Sequence, residues 1–139
     1  MARIARLRPD LHCRWGRMNA RQMVSHLNDS FISAMGRKHV AIDPHFRFRG
    51  LIKWCALYMP THWPHGVPTR PEIDQERDGT PPADFDEDRQ TLVGLVHEFT
   101  RQPRGFQFHP HPMFLEMTGW QWMRWGWLHT DHHLRQFGA

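Results

Sequence analysis

The chain is poor in cysteine, with two in 139 residues. Cys13 and Cys55 cannot build the several bridges that staple a small secreted fold. A reducing cytoplasm is therefore the default expectation. No window approaches the roughly 18 consecutive apolar residues that a membrane-spanning helix needs, so no membrane partner is expected. The opening MARIARLRPDLHCRW is basic but has no apolar core segment, and it does not read as a secretory signal. A Gly-rich phosphate loop, a G-x-S-x-G turn and a CxxC pair are all missing. Their absence removes the usual motif routes to phosphate cradling, serine hydrolysis and dithiol chemistry. No stretch alternates as a strand should, so the reading is all-α.

What the chain does have is histidine, 12 residues against 14 acidic ones. Such a count raises the expectation of metal chemistry, although most of these rings belong to surfaces or loops. The net charge of +4 and a pI near 9.8 raise the question of nucleic acid. The arginines are scattered, however, and acids interrupt them, where an electrostatic footprint needs a basic stripe. No nucleic-acid partner is expected. The length suits one buried core, so residues 1–139 read as a single domain with a small-molecule partner. A homodimer that packs the histidines against tryptophan is a purely structural alternative.

In chain order, Ala2 to Arg8 predicts a short amphipathic turn with Ile4 and Leu7 inward. Asn19 and Gln22 have capping-box spacing and open a helix that Gly36 stops. Met23, Val24, Leu27 and Phe31 form its apolar stripe. His26 lies at the edge of the stripe and by itself reads as a histidine bonded to a hydroxyl. Asp29 reads as a solvated acid or as an orienter of His26. Phe48, Leu51, Ile52, Cys55 and Met59 follow helical spacing up to Pro60, with Cys55 on the apolar face. The Pro-rich stretch from Thr61 to Ala83 is too long for a plain connection and is expected to cover or flank a site, with Trp63 in contact. Asp84 restarts a helix whose core face is Leu92, Leu95, Val96 and Phe99. The four amphipathic segments suggest a helical bundle.

The last stretch, Trp120 to Phe137, is WQWMRWGWLHTDHHLRQF, with Thr118 and Gln121 in capping-box register. On a helical wheel His129 and His133 share a face one turn apart. His132, Gln136, Trp122 and Trp125 lie beside them, while Arg124, Asp131 and Arg135 fall opposite. Two histidines at this spacing can chelate one ion, but another segment must supply a further ligand. His132 and Gln136 are placed for contacts with the ligand histidines or with substrate.

Three pieces of sequence resemble the DinB-like (YfiT-like) superfamily of metal-binding helical bundles, in a branch related to its thiol-dependent transferases. They are WGRMNARQMVSHLNDS, HPMF at His111 to Phe114, and the ending HTDHHLRQFG. The resemblance implies a four-helix bundle with long connecting loops, and it implies His26, His129 and His133 as metal ligands. It also implies a divalent metal, zinc or nickel foremost, with a low-molecular-weight thiol as co-substrate. The activity implied is thiol S-transfer or isomerisation. Metal-assisted hydrolysis and a non-catalytic metal- or ligand-binding stress protein are the alternatives. Two features depart from the pattern. Only Ala2 to Arg8 stands where a longer first helix belongs, and Leu115 follows HPMF where the pattern has glycine.

Overall fold

In the computed structural model, which describes residues 1–139, four α-helices carry the chain and no strand forms. They are α1 (Ala20–Ala34), α2 (Arg49–Tyr58), α3 (Phe85–Thr100) and α4 (Gly119–Gln136). Both capping boxes form. The Gln22 N–H donates to the Asn19 side chain while Asn19 N–H donates to Gln22 Oε1, and Thr118 and Gln121 repeat the exchange at α4. Gly36 and Gly138 take positive φ just past α1 and α4, a conformation glycine adopts without strain.

The core lies between α1, α3 and α4. Phe31 and Phe99 meet edge to face with ring centres 4.9 Å apart, and Trp125 closes on Phe31. A Cβ added at Gly126 would come within 2.9 Å of Phe99 Cε1. The α4 backbone comes this close to α3 because no side chain stands between them. A short 3₁₀ turn, Ile4–Arg6, closes one end of the core, with Ile4 and Leu7 both buried.

The segment from Phe48 to Met59 is helical, but its apolar stripe is not a core face. Phe48 is 72% and Leu51 63% exposed, and Leu57 is the buried residue of α2. Periodicity reveals an apolar face, not whether anything covers it. Polar staples fix α2 instead. Arg49 donates to the carbonyls of Asp43, Pro112 and Met113, and Arg124 of α4 donates to the Leu57 carbonyl. Cys55 is half-buried beside a cavity rather than sealed in the core.

Asp29 neither faces solvent nor touches His26. It is 1% exposed and locks the Pro-rich loop onto α1. Its carboxylate accepts from Thr80 N at 2.8 Å, Thr80 Oγ1 at 2.7 Å and Gln75 Nε2 at 3.0 Å. Lys38 pairs with it at 2.8 Å. A charge this deep is tolerated because every approach to it is a donor. The clamp holds the preceding 3₁₀ turn, Pro71–Ile73, against α1.

Candidate metal centre

The clamped turn reaches the first histidine. The Ile73 carbonyl lies 2.7 Å from His26 Nδ1. A carbonyl can only accept, so Nδ1 carries the proton and His26 Nε2 is a bare lone pair. The same logic settles His133. Gln136 Nε2 donates to the Trp15 carbonyl at 2.8 Å, which turns its Oε1 toward His133 Nδ1, also at 2.8 Å. His133 therefore donates from Nδ1 and presents a bare Nε2.

Both bare nitrogens point at His129. Its Nε2 is 3.3 Å from that of His26 and 3.2 Å from that of His133. All three rings are buried, and their ligand atoms lie within 4.8 Å of one another. Nitrogens held tetrahedrally at about 2.0–2.1 Å from one zinc stand about 3.3 Å apart, so the spacing fits a shared cation. His129 Nδ1 is buried without a partner, so His129 Nε2 can donate to these two nitrogens or, with its proton on Nδ1, join them as a third lone pair on a cation. Burial pushes all three imidazoles below their ordinary value of 6.5, with His129 and His133 well below it. They are neutral at pH 7, so no proton has to leave before a metal binds. The group contains no carboxylate or thiolate. Three histidines can hold a divalent metal with a coordination position left open, as in catalytic zinc sites.

A cavity of about 800 Å³ opens beside the triad. Trp125 packs 4.8 Å from His129 on one side, and Trp63 lies 5.9 Å away on the other. The Pro-rich loop thus flanks the site through Trp63 and supports it through Ile73. His132 is not one of the three converging ligands. Its ring stands edge-on to His133 at 5.1 Å and packs against Trp15, Trp63 and His65, with Nδ1 buried and unpartnered. Desolvation, followed by Arg135, holds its pKa down at about 4. Gln136 touches His133 directly, whereas Trp122 has Phe108, Phe99, His111 and Trp125 as ring neighbours.

Two supports were not visible in the sequence. Ile73 acts through its backbone, which no residue type announces. Trp15 supplies both the carbonyl that orients Gln136 and a ring stacked on His65 at 4.0 Å. Only its place in the WGRM segment marks it.

No curated protein and no solved structure matches the chain. A family model described as "Protein of unknown function (DUF1569)" matches residues 1–139, and the chain belongs to that family.

Proposed function

We propose that this chain is a DinB-like metal-dependent enzyme, a thiol S-transferase or isomerase acting on a small electrophile. The observation that carries the proposal is the pair of fixed tautomers at His26 and His133, whose bare nitrogens meet at His129. A divalent metal held by these three residues, zinc or nickel foremost, would supply Lewis acidity and favour the thiolate form of a bound low-molecular-weight thiol.

The chain's own groups supply the remaining functions. Ile73 and Gln136 hold two ligand rings in register, the kind of outer support that sharpens affinity. Trp63 and Trp125 wall the triad and keep bulk water from its flanks. Met18, Ile52 and Met113 offer apolar surface to the body of a substrate. The cavity volume of about 800 Å³ falls in the range of about 300–1,000 Å³ typical of small-molecule sites.

The test is elemental analysis of gently purified protein, followed by assay with a thiol and a haloaromatic electrophile. In that reaction the thiolate sulfur bonds to the ring carbon and halide leaves. The expected result is about one divalent metal per chain and consumption of the electrophile that needs both thiol and metal. Ester cleavage without thiol dependence would favour the hydrolase. Metal without turnover would favour a binding protein. A metal-free chain that also refuses added zinc and nickel would overturn the proposal.

A further inference from the structure

One histidine outside the triad has an unmatched donor. His111 opens the HPMF turn and is buried. Its Nδ1 accepts two backbone N–H groups, from Met113 at 3.1 Å and Phe114 at 3.2 Å. A neutral ring accepting at Nδ1 must carry its proton on Nε2. Desolvation, assisted by Lys53, holds its pKa down at about 3, so the ring stays neutral. Phe114 stacks on it at 4.5 Å, and Trp122 and Trp125 close in at 5.6 Å and 5.5 Å. The ring is fixed, and its Nε2–H has no protein acceptor. His111 lines the same cavity as His26, His129 and His133. Trp125 is the shared neighbour, touching His111 on one side and His129 on the other.

Turn closure does not explain this donor. The backbone already closes the turn through paired bonds between His111 and Leu115, at 2.9 Å and 2.8 Å. The two N–H groups need an acceptor, but an amide oxygen could serve them as well. An imidazole adds a second polar atom on the far side of the ring, aimed away from the turn. The donor opens to the cavity, where a ligand oxygen would accept it in place of water.

We propose that His111 is a substrate-binding residue whose Nε2–H donates to an acceptor oxygen, a carbonyl or carboxylate, on a small aromatic or unsaturated molecule. The chemical class follows from the surroundings. The donor sits among ring faces and apolar side chains, which suit a flat apolar body carrying one oxygen acceptor. This proposal rests on the cavity being the substrate site of the centre proposed above.

The two ring nitrogens can be tested apart. The amide of His111→Asn reaches the position of Nδ1 and keeps the turn acceptor but loses the cavity donor. His111→Gln reaches the position of Nε2 and keeps the donor while giving up the turn. Benzoate is the probe, titrated by tryptophan fluorescence into zinc-loaded and chelator-treated protein. The side-chain Nε2–H of His111 is followed in ¹⁵N-histidine-labelled protein. Expected are a downfield shift of that proton, affinity about tenfold weaker or worse in H111N at wild-type melting temperature, and affinity kept in H111Q at a lower one. The proposal is overturned if benzoate fails to bind, leaves the proton unmoved, or binds H111N as tightly as wild type. Zinc stoichiometry, measured separately, reports on the metal centre. Benzoate binding through His111 in a chain that refuses zinc would sink the proposed enzyme and leave His111 as the donor of a ligand-binding cavity.

Discussion

His133 donates its Nδ1 proton to the Gln136 side-chain oxygen at 2.8 Å, and that bond decides which nitrogen of His133 faces the centre. Gln136→Ala should free the ring to rotate and change tautomer without removing a ligand. Losing such a partner typically costs about 10–100-fold in metal affinity. Competition against a chromophoric chelator measures it. Unchanged affinity would show that packing alone holds His133.

Removal of the metal should lower the melting temperature of the wild-type protein, because a metal bound only to the native state stabilises it by mass action. His133→Ala should stay helical and no longer respond to chelator. His132→Ala should still respond to chelator, since its ring packs edge-on against His133 without joining the three converging ligands. If His132→Ala loses the metal and His133→Ala keeps it, the ligand assignment is wrong.

Gly126→Ala should destabilise the fold. Alanine favours a helix over glycine by about 1 kcal/mol, but its Cβ would lie 2.9 Å from Phe99. Overpacking a filled core costs about 1–3 kcal/mol, so the net loss should be up to about 2 kcal/mol. Urea denaturation of the apo protein reads it. A variant as stable as wild type would mean that Phe99 has room to move.

Acid should unfold the apo protein partly through His111. Its folded pKa, about 3, lies below the ordinary 6.5, so the folded state holds the ring neutral while the unfolded chain takes up a proton. The stability it contributes is therefore full above pH 6.5 and is lost as the pH falls toward 3. At pH 5 the loss from this one ring is about 2 kcal/mol. The change in stability between pH 7 and pH 5 should be smaller in His111→Asn than in wild type. Parallel curves would mean that His111 protonates freely in the folded state.

Leu115 occupies the left-handed region with φ of 58°, where the family resemblance expects glycine. A side chain there is strained by about 1–2 kcal/mol, and Leu115 is 37% exposed. Leu115→Gly trades that strain against the backbone freedom glycine gains in the unfolded chain, about 0.5–1 kcal/mol. Stability should stay level or rise by up to about 1.5 kcal/mol, whereas Leu115→Val should weaken the turn. A large loss in the glycine variant would reveal packing by the leucine side chain.

What the sequence made legible was local. The capping boxes at Asn19 and Thr118, the stops at Gly36 and Gly138, and the shared face of His129 and His133 depend on neighbours within a turn or two. The all-α bundle follows from those pieces. The outward face of α2 was not legible, because apolar spacing is the same whether a face is covered or bare. Asp29 was misread for the opposite reason. An acid on a helix looks solvated until the residues that bury it, Thr80 and Gln75, arrive from far along the chain. Ile73 could not have been found, because any residue offers the same carbonyl.

His26 and Asp29 are one helical turn apart on α1, and the Pro-rich loop meets both, through Ile73 at one and Thr80 at the other. The helix therefore acts as a ruler for the loop, and the two halves of that loop differ as places to alter the chain. Around Gly66, where an added Cβ would meet nothing within 4 Å, an inserted residue would leave both anchors in place and alter only the lining of the cavity. Between Ile73 and Thr80 a single inserted residue would shift one anchor against the other and pull the carbonyl away from His26.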